Sequence, residues 1–525
     1  MTEISAKFAL PMIALVGAAA LSACGAHHGM SPASMAPPAQ AAFMAGPERA
    51  SGEEYDAITE NRFHDPRAAP LSTFSIDVDT AAYSNVRRFL NQGELPPRDA
   101  VRIEELINYF SYEYPQPTGD APFSVVTEVA PAPWKAGHHL VHIGLQGRRV
   151  DTQDMPPRNL VFLLDVSGSM GSANKLPLLK DALTLLVEQL NERDRVSIVV
   201  YAGASGMVLA PTPGHHKQDI IGAMRQLRAG GGTNGAAGIE LAYQLAEQNF
   251  DPAAVNRVIL ATDGDFNVGV SSRSGLIELI EAKRKSGIYL TVLGLGMGNL
   301  KDSTMEQLAD KGNGNYAYID SIAEARKVLV DEAGGTLITL AKDVKIQVEF
   351  NRDLVASYRL IGYENRLMDN RDFADDSKDA GEIGAGHTVT ALYEVALRQD
   401  RDGIASAAAT GEDSDVARDD LLTVRLRYKQ PDSAQSALLT SAVANRPVAL
   451  SDSSDAFRFS AAVAGFGMLL RGSEHRGSAT FASVRELASG ALGADRAGYR
   501  KGFLSLVERA GLLAGGQSAP RAARA

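Results

Sequence analysis

Asp165, Ser167 and Ser169 occupy alternate positions where the apolar run VFLLD breaks into SGSMGS. In an extended chain, alternation carries side chains to one side, so three oxygen donors face a common point. Two further segments end in a similar way. Asp263 closes the apolar run of NRVILATDG, and Thr233 lies in the glycine-rich RAGGGTNGAAG just before a helical pattern. Two carboxylates at the ends of buried strands are costly to desolvate together unless a cation compensates them. Asp165, Ser167, Ser169, Thr233 and Asp263 are all hard oxygen donors, a set that favours Mg2+ or Mn2+ and disfavours zinc or copper.

The elements that position these residues follow from the apolar pattern. NLVFLLD, RVSIVVYA, NRVILATDG and IYLTVLGLG are near-continuous apolar runs, as strands covered on both faces require. Between them KLPLLKDALTLLVEQL, QDIIGAMRQL, NGAAGIELAYQLAEQ and SGLIELIEAKRKSG repeat their apolar residues at helical spacing. The alternation predicts an α/β fold, a doubly wound parallel sheet over residues 158–340, and such sheets collect ligands at the carboxyl ends of their strands. On either side, residues 71–157 and 341–435 read as β-rich, with strand alternation in FSVVTEVAPAPW, HHLVHIGLQGRRV, KDVKIQVEF, HTVTALYEVALR and LLTVRLRYKQ. The two flanks are expected to form one β-rich domain interrupted by the α/β unit. The polar RQDRDGIASAAATGEDSDVARDD reads as a mobile loop, and residues 436–525 as a helical C-terminal region that caps the β domain.

The D-x-S-x-S of Asp165, Ser167 and Ser169, the threonine of GGTN and the aspartate of ATDG resemble the metal-ion-dependent adhesion site of von Willebrand factor A domains, matching all five positions in order. The resemblance implies that Ser167, Ser169 and Thr233 bind the ion directly, that Asp165 and Asp263 act largely through ordered waters, and that a partner protein's carboxylate fills the open coordination position. The flanking FSIDVDTAAYSNVRRFLNQGELPPRDAVRIEELINYF and FRFSAAVAGFGMLLRG resemble the flanks of bacterial A-domain lipoproteins. Asp265 is an extra acid beside the motif, with a role in tuning the loop or as a solvated turn residue.

The amino-terminal sequence supports that resemblance. The apolar FALPMIALVGAAALSA runs into LSAC, and Cys24 is the single cysteine of the chain. This resembles a bacterial lipoprotein signal over residues 1–23, cut before a Cys24 that carries the lipid. Residues 24–70 are expected to be a disordered tether, in which His27 and His28 are solvated. Gly25, in place of an aspartate, points by the same resemblance to the outer membrane of a Gram-negative bacterium, attached through the lipid alone. The chain of 525 residues, 45% hydrophobic, is long enough for several packed cores. Its 63 acidic against 52 basic residues give a formal charge of -11, which gives no support to a nucleic-acid partner.

Catalytic readings fare less well. A magnesium-dependent phosphotransferase of the haloacid dehalogenase type also ends a strand in aspartate, but its acid two residues later is Ser167 here, which cannot protonate a leaving group as a carboxylic acid does. A serine hydrolase lacks its G-x-S-x-G elbow, and His215 and His216 read as exposed loop residues. GLGMGN departs from the dinucleotide fingerprint at Asn299 and reads as a tight turn after a strand. The expected function is therefore protein binding, not catalysis. A structural envelope scaffold that needs no metal stands as the alternative.

Overall fold

The computed structural model describes residues 52–76, 79–150, 155–203, 205–232, 235–264, 273–333, 337–398, 416–431 and 433–518. Cys24, His27, His28, Thr233, Asp265 and residues 399–415 of the polar stretch lie outside the described residues.

The first flank contains β1 (Leu71–Ser75), α1 (Ala81–Asn91), α2 (Ile103–Asn108), β2 (Phe123–Pro131) and β3 (His138–Gly147). The α/β unit follows with β4 (Arg158–Asp165), α3 (Leu176–Glu188), β5 (Arg195–Tyr201), β6 (Ser205–Pro213), α4 (Lys217–Gln226) and α5 (Gly235–Gln248). It continues through β7 (Val255–Thr262), α6 (Arg273–Arg284), β8 (Tyr289–Leu295), α7 (Asp302–Lys311), β9 (Tyr316–Ile319) and α8 (Ile322–Arg326), which runs into a π-helical turn, Lys327–Asp331. The second flank supplies β10 (Thr339–Phe350), β11 (Val355–Ile361), β12 (Gly381–Gly384), β13 (Thr388–Leu397), β14 (Asp420–Lys429) and β15 (Ser436–Ala444). The helices α9 (Asp455–Arg471), α10 (Phe481–Ser489) and α11 (Tyr499–Ser518) end the described chain.

The α/β sheet has the order β6-β5-β4-β7-β8-β9. β4, the strand that ends in Asp165, is buried along its whole length and pairs in parallel with β5 and β7. Leu160, Phe162 and Leu164 enter the core beneath α3 and α4, while Val161 and Leu163 enter the core beneath α5, α6 and α7. That two-sided burial is why the run reads as continuously apolar. The edge strand β6 departs from the all-parallel pattern and runs antiparallel to β5. Only residues 202–204 separate the two strands, too few for the crossover that a parallel neighbour needs.

The two flanks build one β-sandwich around the insertion. One sheet has the order β1-β10-β14-β15, with β12 also on β10, and the other the order β11-β13-β3-β2, so each mixes strands from before and after the α/β unit. Phe74, Val141, Ile143, Val348, Tyr393 and Val424 share the core between the sheets. On the outer face of the second sheet, Leu140 and Leu392 pack with Tyr83, Leu106, Phe459 and Phe503 under a helical layer.

Three sequence expectations need adjustment. The region 71–157, read as β-rich, also carries α1 and α2, which join α9, α10 and α11 in the helical layer. The helical region from residue 436 begins instead with a strand, β15, paired to β14. The tether, read as running to residue 70, has its last part on the protein body. The Gly52 N–H donates to the Gly298 carbonyl at 2.9 Å and the Glu54 N–H to that of Leu300 at 2.9 Å. Glu53 both accepts from the Gly298 N–H at 2.8 Å and pairs with Arg88 at 2.8 Å, contacts that the local composition of the tether does not reveal.

Candidate metal-binding site

The described members of the sequence motif gather at the carboxyl end of the α/β sheet. Asp165 ends β4, fully buried; Ser167 is buried in the turn that follows; Ser169 is exposed in the single turn Gly168–Gly171. The Ser167 N–H donates to Asp165 Oδ1 at 2.8 Å, which folds the chain back over the carboxylate, and the two serine Oγ atoms lie 3.0 Å apart. Such a local return of backbone N–H to an aspartate is the habit of Asx turns. Asp263, 1% exposed, follows β7 directly, and its neighbour Thr262 donates its hydroxyl to Asp165 Oδ2 at 3.2 Å.

The loop that leads to Thr233 arrives at the same place. The Gly230 N–H donates to the Val166 carbonyl at 2.8 Å, and the Gly168 N–H donates to that of Gly231 at 3.1 Å. Gly231 holds φ at +81°, and a side chain on it would meet the Gly203 nitrogen at 3.2 Å, so glycine suits the position for both reasons. Thr233 itself lies outside the described residues.

Burial raises the Asp165 carboxyl above its ordinary range; the hydrogen bonds of Ser167 and Thr262 oppose the rise, and the charge of Asp263 adds to it. Tyr201, at the end of β5, is pushed up strongly by burial and then by the nearby charge of Asp165. Nothing in the sequence pattern singled out Thr262, Tyr201 or Lys175. The Lys175 ammonium stands 2.7 Å from Asp263 Oδ2, with its side chain 10% exposed. Asp165, Asp263 and Lys175 together carry one negative charge. Among the described residues no group of three or more His, Cys, Asp or Glu is placed to hold a metal. Among the described residues, the oxygen donors at this place are the hydroxyls of Ser167 and Ser169 and the carboxylates of Asp165 and Asp263. The hard-oxygen chemistry of that set and the residual negative charge fit a small divalent cation.

The other polar features lie outside this cluster. His216 precedes α4, with its Nδ1 3.3 Å from Asp219 Oδ2, and both side chains are exposed. GLGMGN begins with the last two residues of β8 and continues as the turn after it, with φ of +78° at Gly296 and +87° at Gly298.

Residues 159–331 match the family model of the von Willebrand factor type A domain, residues 49–142 a model described as von Willebrand factor, and residues 335–513 that of the C-terminal region of uncharacterized protein YfbK. The chain is 42% identical over 483 residues to uncharacterized protein YfbK of Escherichia coli K12, covering 90% of this chain and 83% of that protein. It is 27% identical over 194 residues to human inter-alpha-trypsin inhibitor heavy chain H4, covering 35% of this chain and 21% of that one. A solved von Willebrand factor type A protein from Catenulispora acidiphila, 16% identical, covers 74% of this chain and 92% of its own at a TM-score of 0.40. The chain belongs to the YfbK family, bacterial proteins built around a von Willebrand factor type A domain.

Proposed function

We propose that this protein is a cell-envelope lipoprotein whose A domain binds another protein through a divalent ion, Mg2+ or Mn2+, that accepts a carboxylate from the partner. The observation that supports the reading is the convergence of three loops, those of Asp165 to Ser169, Gly230 to Gly232 and Asp263, on one sheet edge. Ser167, Ser169 and Thr233 would hold the ion, and Asp165 and Asp263 would compensate its charge through waters. Bound there, the ion supplies a Lewis-acidic anchor for an anionic group. The protein's own part is to orient the hydroxyls and to bury the carboxylates, with the Lys175 ammonium 2.7 Å from Asp263 Oδ2. Partner identity is open to any protein that can present Asp or Glu at its surface.

Asp165→Ala tests the reading. Calorimetric titration with Mn2+ is expected to lose its binding isotherm in this variant, and pull-down from envelope extract is expected to lose any chelator-sensitive partner, with the circular dichroism spectrum retained. Unchanged Mn2+ affinity would overturn the metal site, and chelator-insensitive capture would favour the metal-independent scaffold instead.

The lipid anchor rests on Cys24 in LSAC. Cys24→Ser is expected to move the protein from the membrane fraction to the soluble fraction. A variant that still sediments with membranes would remove the anchor from the proposal.

A further inference from the structure

Lys175 stands immediately before α3, on the chain segment that leaves the Asp165 to Ser169 loop. Its side chain is directed by packing. Gly296 holds φ at +78°, and a Cβ on it would fall 2.7 Å from Lys175 Cγ and 2.8 Å from Cδ. The missing side chain of Gly296 thus leaves the channel through which the lysine stem runs, and the ammonium emerges 2.7 Å from Asp263 Oδ2. Asp263 is itself on a constrained turn. Gly264, at φ +95°, sits so close to the Leu300 region that a Cβ would lie 2.6 Å from the Lys301 nitrogen and 2.9 Å from the Asn299 carbonyl oxygen. Moving Asp263 toward an ion would mean both parting from the ammonium and shifting this packed turn.

We propose that Lys175 is the positioning residue of the metal site: its ammonium keeps Asp263 out of direct coordination and gives the loaded site a net positive charge. This rests on the metal reading above. Among the described charges of the site, a divalent ion balances Asp165 and Asp263, so the lysine charge is the surplus. That surplus is what an incoming carboxylate neutralises, and it is what makes the loaded centre select an anion over water. A purely structural Lys175–Asp263 pair would affect stability alone, whereas a positioning lysine sets the affinity for the ion and the number of waters it retains.

The experiment uses the full-length protein with Mn2+ as the probe, read by calorimetry and by electron paramagnetic resonance in 17O-enriched water. With the proposed hydroxyls of Ser167, Ser169 and Thr233 as ligands in an octahedral shell, wild-type protein would retain about three waters on Mn2+. In Lys175→Met, Asp263 is expected to displace one of them, and affinity for Mn2+ to tighten by roughly tenfold to a hundredfold, the scale on which a neighbouring unit charge alters a carboxylate's proton affinity. Lys175→Arg, which keeps the charge, is expected to stay near wild type. Unchanged or weaker Mn2+ binding in a folded Lys175→Met overturns the assignment while leaving the metal site standing. Absence of Mn2+ binding in wild type removes the metal site and this assignment together. If Lys175→Met does not fold, Lys175→Gln is read in the same way, and an unchanged water count and Mn2+ affinity in that variant overturn the assignment.

Discussion

At the scale of residues, the site divides into groups that sequence spacing displays and groups that only the fold assembles. Asp165, Ser167 and Ser169 are legible as a spacing, but the turn after β4 gathers them and not the strand alternation expected of an extended chain: β4 ends at Asp165, the Ser167 N–H folds back to Asp165 Oδ1, and Ser169 lies on the turn Gly168–Gly171. Lys175 is not legible, because its destination depends on the missing side chain of Gly296, which belongs to a different strand end. Two glycines of one turn separate this packing effect from backbone geometry. Gly296 and Gly298 both have positive φ, but a Cβ on Gly298 meets nothing within 4 Å whereas one on Gly296 meets the lysine stem. Gly298→Ala is expected to cost only the backbone term, about 1 kcal/mol. Gly296→Ala adds overpacking and is expected to cost about 2–4 kcal/mol in total. Urea denaturation of the two variants at unchanged slope measures the difference, and equal losses would mean that the lysine stem does not occupy that channel.

At the scale of elements, legibility follows how much of a segment's burial is apolar. α9 was readable from its ends as well as its interior. The Ser454 hydroxyl accepts the Phe457 N–H at 3.0 Å, and Gly472 closes the helix at φ +64°. α1 shows no clear helical period in the sequence, since Ser84, Asn85 and Arg88 are buried on it alongside Tyr83 and Val86, and this mixture blurs the apolar pattern. The burial of Asn85 and Arg88 is compensated from elsewhere in the chain: Asn85 donates to the Tyr55 hydroxyl at 2.8 Å, and Arg88, which also donates to Asn85 at 2.6 Å, pairs with Glu53 at 2.8 Å. No local pattern can register a partner from the chain before β1. The strand β3 shows the opposite case. Its alternation is plain, and the glycine within it marks a close approach, because a Cβ on Gly144 would fall 2.6 Å from the Tyr114 ring.

At the scale of the whole molecule, the α/β unit is an insertion whose host is completed only when the chain returns. β10 pairs with β1 and β13 with β3, so neither sheet is complete with the strands of one flank. Buried charges reinforce the junction at α7, where Asp302 takes Arg102 of the first flank at 2.6 Å and Glu306 takes Arg366 of the second at 2.8 Å. Breaking a buried pair costs more than forming it gains, so these contacts specify the arrangement more than they stabilise it.

The same host carries a titratable residue whose effect on stability has a definite sign. His142 lies on β3 beneath the helical layer, 1% exposed, with its Nε2 2.9 Å from the Tyr114 hydroxyl. Burial pulls its pKa from 6.5 down to about 4, so the unfolded chain takes up a proton before the folded one does. Stability from this source is complete above pH 6.5 and falls as the pH drops toward 4, with about 2 kcal/mol gone at pH 5. The buried carboxyl of Glu104 is shifted upward by burial and acts in the reverse sense, so wild type alone reports only a sum. Comparison with His142→Phe isolates the histidine, because Tyr114 retains Thr390 Oγ1 at 2.7 Å as a partner. Between pH 8 and pH 5, urea unfolding is expected to shift the stability difference toward the variant by about 2 kcal/mol. A difference that stays constant across that interval would show that His142 titrates alike in both states and that the helical layer leaves it open to water.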